Sequence, residues 1–570
     1  MTLYKIEMKK NILALSLFFL TGTTFAQSPN WLWAKQIGGN GYDAGYYITV
    51  DAIGNIYTAG TFDDTVDFDP GPNIFNLFSS GGGDIFIYKS NAAGNFLWAK
   101  SMGGPDAEYP NNIAIDGSGN IYTTGPFENT ADFDPSSGTY NLTSAGSKDI
   151  FISKLDSSGN FIWAKSMGGT GVDESYFLNF DALGNVYTTG WFNDTADFNP
   201  DGSIYDLTSN GMTDIFISKL NNNGNFIWAK SIGSTAGDYS NSIAIDDSGN
   251  IFTTGLFQNT VDFDPGMGLY NLTSAGDNDL FISKLNSSGD FIWCKSIGAS
   301  GADAGYSLTI DDSTNIVVIG DFQETIDFDP GSGISNLTSA GNYDIFIAKF
   351  SNSGNFIWAK SIGGSASDSP YGIATNATGN IFITGNYEGT ADFDPSTALF
   401  EMTSFGSKDF FITKLDASGN FIWATATGGS DYDFVWSITV DASDHVLITG
   451  EYYSPFIDFD SYNLGNTNKT GSTDDIFIGK LDNIFNGIEN VLENKDLTIY
   501  PNLTNNNVNV KAATKLFGVV YTIYDTNGKA VLTGQIKSEN TLIELDKLPC
   551  GIYLFSVGEN LKHTFKVIKE

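Results

Sequence analysis

Acidic side chains recur along this sequence at intervals of 65 residues, and they are its most prominent candidates for chemistry. One set is predicted to lie on one face of the fold and to contact a ligand: Asp43, Glu108, Asp173, Asp238, Asp303, Asp368 and Asp433. A second set belongs to a DFDP-like motif and comprises Asp67, Asp69, Asp132, Asp134, Asp197, Asp262, Asp264, Asp327, Asp329, Asp392, Asp394, Asp458 and Asp460.

The DFDP-like set has two interpretations. Clustered carboxylate oxygens are the ligands that Ca²⁺ prefers, so the motif predicts a calcium site in each repeat. The same carboxylates can instead cap their own loops by accepting hydrogen bonds from nearby backbone N–H groups. The sequence leaves both interpretations open, and it predicts no other cofactor.

Aromatic residues that depart from the repeat are a second group of ligand-binding candidates. Trp191 and Trp436 are predicted to lie on the same face as the first acidic set, and so are several tyrosines. An aromatic ring beside a carboxylate can stack on a sugar or clamp a peptide. The tyrosines in question are Tyr46, Tyr176, Tyr306 and Tyr371.

The composition excludes several classes of function. The net charge is −38, which disfavours a nucleic acid partner and favours a cation or a basic partner. All 28 basic residues are lysines, so an arginine-dependent site of the sialidase type is excluded. Of the two histidines, His445 is predicted in a turn on the opposite face and His563 lies in the C-terminal segment, so a Ser-His-Asp relay is disfavoured and no catalytic residue is predicted.

Each 65-residue period contains four short strand signals. In the second copy these are residues 112–116, 120–127, 149–155 and 161–167. Short turns that contain glycine join them, except for a long loop between the second and third strands that carries the DFDP motif. A glycine recurs every 65 residues within the second strand signal: Gly60, Gly125, Gly190, Gly255, Gly320, Gly385 and Gly450.

Seven copies of four antiparallel strands predict an all-β fold, namely a seven-bladed β-propeller of four-stranded blades. Residues 31–37 look like a lone fourth strand, and residues 475–481 look like a third strand whose fourth is missing. We therefore expect the N-terminal strand to complete the last blade and close the ring, which leaves no exposed sheet edge.

The two ends of the chain differ from the repeats. Residues 1–26 carry Lys9 and Lys10, an apolar run and small residues before Gln27, a pattern typical of a signal peptide. The propeller is assigned to residues 27–482 and a linker to 483–495. Alternating apolar and polar residues predict a small β-sandwich in residues 496–570, and no transmembrane segment is expected in the mature chain.

Two parts of the sequence resemble known families. The GNFIWAKSIGG, GNIYTTG, ADFDPG and DIFISKL strings resemble the β-propeller repeat family of bacterial surface proteins. The C-terminal segment resembles the type A sorting domain of the type IX secretion system of Bacteroidetes, although Leu503 and Asn507 depart from that pattern. The residues that carry this second resemblance are Tyr500, Pro501, Asn502, Gly528, Lys529, Leu548, Pro549, Gly551, Ile552 and Tyr553.

The second resemblance implies export to the periplasm by the signal peptide, and then passage through the type IX machinery as a partner of the C-terminal domain. The mature protein would be secreted or held at the outer cell surface. Two functions remain open beside a purely structural role in a surface layer, since fold alone does not decide function. One is a binding or adhesion module that acts through the acidic upper face on a glycan, protein or cationic ligand. The other is an exported carbohydrate-active enzyme, a glycosidase or lyase, with paired carboxylates in the central funnel.

Overall fold

The computed structural model describes residues 29–468, 473–483, 497–500, 503–504, 507–512, 516–524, 529–549, 551–557 and 563–569. The predicted signal peptide and all but the first residue of the predicted linker lie outside these ranges. Within them, no helix has the length and apolar character that crossing a bilayer would require.

The described residues before 484 form units of four antiparallel strands that pair in chain order, numbered here one to seven. The first strands are Asp43–Val50, Asn112–Ile115, Glu174–Phe180, Tyr239–Ile245, Ala304–Ile310, Ser369–Thr375 and Asp433–Val440. The second strands are Ile56–Phe62, Ile121–Phe127, Val186–Asp197, Ile251–Phe257, Ile316–Phe322, Ile381–Tyr387 and Val446–Tyr452. The third strands are Asp84–Ser90, Asp149–Leu155, Asp206–Leu220, Asp279–Leu285, Asp344–Phe350, Asp409–Leu415 and Asp475–Leu481. The fourth strands of units one to six are Phe96–Met102, Phe161–Gly169, Phe226–Ile232, Phe291–Ile297, Phe356–Gly364 and Phe421–Thr427.

The two middle strands of a unit are covered on both faces. Every residue of Ile56–Phe62 and of Asp84–Ser90 is buried, which explains why these strands are continuous runs of apolar and small residues. The side chains of neighbouring units pack into shared clusters, such as the one that joins Tyr57 of unit one to Phe151 of unit two. The core therefore lies between the sheets, as the all-β prediction requires.

The structure corrects the prediction of a long loop between the second and third strands. Short strands at the two ends of this segment pair as a hairpin instead. In unit two Thr130 lies opposite Thr143, and their hydroxyl groups are hydrogen-bonded. In unit three this hairpin is continuous with the long second and third strands. The other hairpins pair Thr65–Asp67 with Asn76–Phe78, Thr130–Asp132 with Asn141–Thr143, Thr260–Asp262 with Asn271–Thr273, Thr325–Asp327 with Asn336–Thr338, Thr390–Asp392 with Glu401–Thr403, and Phe456–Phe459 with Tyr462–Gly465.

The N-terminal strand Trp31–Ile37 belongs to unit seven. It pairs antiparallel with Asp475–Leu481 and supplies the fourth strand that this unit lacks. Lysines of the third strands also link successive units: the Lys89 ammonium donates to the Ser157 carbonyl oxygen of unit two at 2.9 Å. The equivalent Lys480 of unit seven donates to the Ala92 carbonyl oxygen of unit one at 3.2 Å.

The C-terminal segment forms two sheets. One contains Leu497–Tyr500, Asn507–Ala512 and Asn540–Glu544, and the other contains Leu503–Thr504, Val520–Tyr524, Ala530–Gln535, Gly551–Val557 and His563–Lys569. Val508 and Val510 of the first sheet share a buried cluster with Ile523 and Phe555 of the second. Alternate residues of these strands therefore face a common core.

Removal of the Trp31 side chain should destabilise the protein strongly. Trp31 is 7% exposed and its ring lies 4.6 Å from that of Phe459, so Trp31→Ala should lower the free energy of unfolding by about 3–5 kcal/mol. Urea denaturation provides the measurement. The neighbouring Leu32 is 38% exposed, and Leu32→Ala should cost no more than about 0.5 kcal/mol. Equal losses for the two variants would show that the N-terminal strand does not anchor unit seven.

Candidate functional site

A β-bulge occurs at the same place in the first strands of units one and three to seven. In unit one Gly45 pairs with Gly60 and Tyr47 pairs with Ala59, which leaves Tyr46 as the extra residue. A Cβ on Gly60 would lie 1.8 Å from the Ala44 carbonyl oxygen, so only glycine fits opposite this bulge. The bulge turns the extra side chain away from the sheet and towards neighbouring first strands.

The bulged residues of these six units, together with the residue at the same position of unit two, line one cavity of about 390 Å³, here called the central cavity. Five of them were identified from the sequence as departures from the repeat. Sequence analysis missed two amides, although they have the same 65-residue spacing, because asparagine is common in loops. The seven residues are Tyr46, Asn111, Tyr176, Asn241, Tyr306, Tyr371 and Trp436.

Aromatic rings form a continuous arc on one side of the central cavity. The Trp436 ring lies 4.7 Å from that of Tyr371 and 6.3 Å from that of Tyr46. The Tyr306 and Tyr371 rings are also 6.3 Å apart. These are the separations at which aromatic rings attract one another, so units five, six, seven and one present a preformed wall.

The two amides bind the neighbouring backbone. Asn111 Nδ2 donates to the Ser175 carbonyl oxygen at 2.9 Å, and Asn241 Nδ2 donates to the Gly305 carbonyl oxygen at 2.8 Å. Each bond joins one unit to the bulge of the next. The amide planes are thereby fixed, which orients their remaining groups without a bound ligand.

Two buried carboxyl groups lie near the polar ends of these rings. Asp321 Oδ2 accepts a hydrogen bond from the Tyr306 hydroxyl at 3.3 Å, and burial raises the pKa of Asp321 to about 7. Burial, and then the adjacent Asp474, raise the pKa of Glu451 to about 8. Burial, Asp321 and Glu451 together raise the pKa of Tyr371 to about 12, which places this tyrosine within electrostatic reach of both carboxyls.

This polar layer is asymmetric. Units five, six and seven place Asp321, Asn386 and Glu451 directly after the repeated glycine, and all three are buried. None of the ion pairs formed by the described residues includes Asp321 or Glu451. At the same position units one to four have Thr61, Pro126, Trp191 and Leu256.

The first acidic set does not line the central cavity. Each of its seven side chains is fully buried where one unit meets the next, and the structure does not bring the seven together. Asp43, for example, accepts hydrogen bonds from the backbone N–H groups of Gly39 at 2.6 Å and Asp63 at 3.2 Å. Burial raises the pKa of Asp43 and Glu108 to about 8, and that of Asp173, Asp368 and Asp433 to about 7.

The DFDP carboxylates hold the hairpin loops. Asp67 Oδ1 accepts from the N–H groups of Asp69 at 3.1 Å and Phe75 at 2.8 Å, and Asp69 Oδ1 accepts from Gly71 N–H at 2.8 Å. The same bonds recur at Asp132 and in most other copies. Among the described residues no group of three or more His, Cys, Asp or Glu side chains is placed to hold a metal ion. Loop capping thus accounts for these contacts, and calcium binding stays a prediction.

Other predicted residues lie elsewhere. Trp191 Nε1 donates to the Tyr176 hydroxyl at 3.1 Å, so this tryptophan supports the wall of the cavity rather than lining it. In the C-terminal segment the Tyr553 hydroxyl donates to the Pro549 carbonyl oxygen at 2.7 Å. Pro501, Asn502 and Gly528 lie outside the described residues.

Comparisons with known families match both parts of the chain. Residues 498–570 match the secretion system C-terminal sorting domain, and residues 97–125 and 227–256 match the beta-propeller repeat. These matches confirm the two resemblances seen in the sequence. The sorting tail indicates a secreted or cell-surface protein.

Individual relatives are more distant. An uncharacterized WD repeat-containing protein of Acanthamoeba polyphaga mimivirus is 26% identical over 510 residues, which cover 75% of this chain and 36% of that protein. The regulatory protein FlaEY of Caulobacter vibrioides is 22% identical over 180 residues, 30% of this chain and 18% of its own length. This chain therefore spans well under half the length of these relatives.

Two solved structures are similar at low identity. Sqt1 from Chaetomium thermophilum has a TM-score of 0.37 at 9% identity, with 75% of this chain and 83% of that one covered. PorZ of Porphyromonas gingivalis, described as an essential bacterial surface component of the type-IX secretion system, has a TM-score of 0.25 at 13% identity. That match covers 92% of this chain and 81% of PorZ.

The buried carboxyls predict that stability falls as pH rises. Their pKa values are raised in the folded state, so folding favours the protonated form, and this stability is lost as pH passes through about 6 to 8. The melting temperature of the chain should therefore be higher at pH 5.5 than at pH 8.5. Carboxyls whose pKa is lowered, such as Asp311, are ionised throughout this range and do not oppose the trend.

Asp43→Asn provides the matched test of this assignment. It should reduce the slope of melting temperature against pH, whereas Asp64→Asn, which alters an exposed carboxyl, should leave the slope unchanged. A melting temperature that rises between pH 5.5 and 8.5 would contradict the assignment.

Proposed function

We propose that this chain, which carries beta-propeller repeats and a C-terminal secretion sorting domain, is an exported surface protein that binds its ligand in the central cavity. One observation carries the proposal. One side chain from each of the seven units, in the first strand or next to it, lines that cavity, and these side chains differ between units: four are tyrosines, two are asparagines and one is a tryptophan. A binding site is expected where a rigid scaffold presents variable aromatic and amide groups around a concave surface.

In this proposal the seven units are the blades of a closed ring. The pairing of Trp31–Ile37 with Asp475–Leu481 supports closure, since it leaves unit seven complete. The bond from Lys480 to the Ala92 carbonyl oxygen supports it as well, because it repeats between units seven and one the link seen between units one and two. A closed ring makes the central cavity a rigid, preformed site.

The acidic upper face has a supporting role in the proposal. The seven buried carboxyls fix the loops between units, and the half-buried DFDP carboxylates fix the hairpins around them. Together with the net charge of −38 they disfavour polyanionic ligands and leave calcium as a candidate ligand of the loops. Export would use residues 1–26 and the type IX machinery, which would recognise residues 496–570.

A second candidate function is an exported glycosidase or lyase. Asp321 and Glu451 favour it, because they are two carboxyl groups within reach of one tyrosine on one side of the cavity. Burial raises the pKa of Asp321 to about 7 and that of Glu451 to about 8, and a general acid must hold its proton near neutral pH. Paired carboxyls of this kind carry out glycoside hydrolysis in many enzymes.

Calorimetric titration with neutral hexoses, N-acetylhexosamines and their soluble polymers should separate the two functions. Trp436→Ala should weaken binding at least about tenfold, because it removes the ring that contacts both Tyr371 and Tyr46. Tyr140→Ala, which changes an exposed tyrosine of an outer hairpin, should leave affinity unchanged.

Measurement of the reducing sugar released from these polymers shows whether the protein is an enzyme or a binding module. Turnover that Asp321→Asn and Glu451→Gln both abolish would establish the enzyme, and binding without turnover would establish the binding module. If Trp436→Ala alters neither binding nor turnover, the central cavity is not the functional site.

A further inference from the structure

A row of three aromatic rings leads from the surface to the central cavity. Tyr432, Phe434 and Trp436 occupy alternate positions of the chain at the start of the first strand of unit seven, and contacts between successive rings place the three side chains in a row. The Tyr432 and Phe434 rings are 6.2 Å apart with an interplanar angle of 4°, and the Phe434 and Trp436 rings are 5.6 Å apart at 12°. The row thus forms a continuous strip of nearly parallel rings.

The outer end of the row is its most exposed part. Tyr432 is 46% exposed, whereas Phe434 and Trp436 are half-buried. Trp436 itself lines the central cavity and contacts Tyr371 and Tyr46. A ligand that occupies the cavity therefore has a continuous apolar path from its bound end to solvent.

Only unit seven has this row. At the position of Phe434 units two and four have Tyr109 and Tyr239, and at the position of Tyr432 unit one has Tyr42, but no other unit has aromatic residues at all three positions of the row. The repeat does not require these rings, and their packing does not form the core, since Tyr432 is exposed. A ligand that follows this row therefore enters the cavity from the side of unit seven.

The chemistry of the lining favours a neutral ligand. The described residues that line the cavity are aromatic, amide, hydroxyl or aliphatic, and none is charged. The carboxyls of Asp321 and Glu451 lie near the hydroxyl groups of the lining tyrosines. A sugar ring matches this combination, because its C–H face packs on an aromatic ring while its hydroxyls reach amide and phenol groups. A charged polymer would leave its charge without a partner in this cavity.

We propose that Tyr432, Phe434 and Trp436 form an extended subsite for a neutral polysaccharide that enters the central cavity end-on. The proposal rests on the function proposed above, since it assumes that the cavity binds the terminal sugar. That sugar contacts Trp436, and the sugars behind it lie along Phe434 and Tyr432. The row makes affinity depend on chain length, so the protein selects polymers or long glycans over free monosaccharides.

Titration of the full chain with a monosaccharide and with its oligomers of two, three and four units tests the subsite. Affinity should rise by about threefold to tenfold as the ligand extends onto the row. Tyr432→Ala should remove this gain and leave monosaccharide affinity unchanged, and Tyr432→Phe should retain the gain. Trp436→Ala should weaken binding of every ligand, and Tyr140→Ala should weaken none.

The outcomes separate this inference from the proposed function. Monosaccharide binding that Trp436→Ala abolishes, with no gain for longer ligands, would overturn the subsite and keep the cavity as a binding site. A gain that survives Tyr432→Ala would also overturn the subsite. Binding of unglycosylated peptides through Tyr432, with no sugar bound, would overturn the polysaccharide assignment. Absence of any ligand sensitive to Trp436→Ala would overturn both proposals.

Discussion

Seven glycines leave room for a backbone carbonyl, and the central cavity depends on that space. At these glycines a Cβ would lie between 1.7 Å (Gly125) and 2.1 Å (Gly385) from the carbonyl oxygen of the residue two before the cavity-lining one. No side chain can occupy such a position, so glycine is required there. Because the bulge can form, one residue per unit leaves the alternating pattern of its strand and turns towards its neighbours. Without it, Tyr46 and its counterparts would have to lie on one face of the sheet.

This arrangement separates the constant part of the repeat from the variable part. Strand pairing, the buried loop carboxyls and the lysine links involve residues that recur in nearly every unit, because each makes the same backbone contacts. The residues that line the cavity do not take part in these repeated contacts, and their identity differs between units. Units five to seven then add Asp321, Asn386 and Glu451 beside the rings, which makes one side of a repeated scaffold chemically distinct.

Much of the fold can be predicted from the period of the sequence. The strands predicted at 149–155 and 120–127 match Asp149–Leu155 and Ile121–Phe127, since period and turn chemistry fix their ends. The hairpin at the DFDP motif is missed because Thr130–Asp132 and Asn141–Thr143 are too short to show alternation. The repeated glycine is visible in the sequence. The reason for it, the close approach of a carbonyl oxygen from the neighbouring strand, depends on strand register and is not.

The site is only partly predictable for a related reason. Tyr46, Tyr306 and Trp436 stand out as departures from the repeat, but their convergence on one cavity follows from the bulge. Asp43 belongs to a repeated acidic set and Asp321 does not, but only the structure shows that Asp43 caps a loop and that Asp321 accepts a hydrogen bond from a tyrosine hydroxyl.

The most direct test of this account is to place a methyl group at the bulge. In Gly320→Ala the new Cβ would meet the Ala304 carbonyl oxygen at 1.8 Å, and Gly117→Ala places the same group in an exposed turn with nothing within 4 Å. We expect Gly320→Ala to lower the free energy of unfolding in urea by at least about 1–3 kcal/mol, and Gly117→Ala to leave it unchanged or slightly higher. If the two variants unfold alike, the glycine is not what permits the bulge, and the proposed origin of the cavity is wrong.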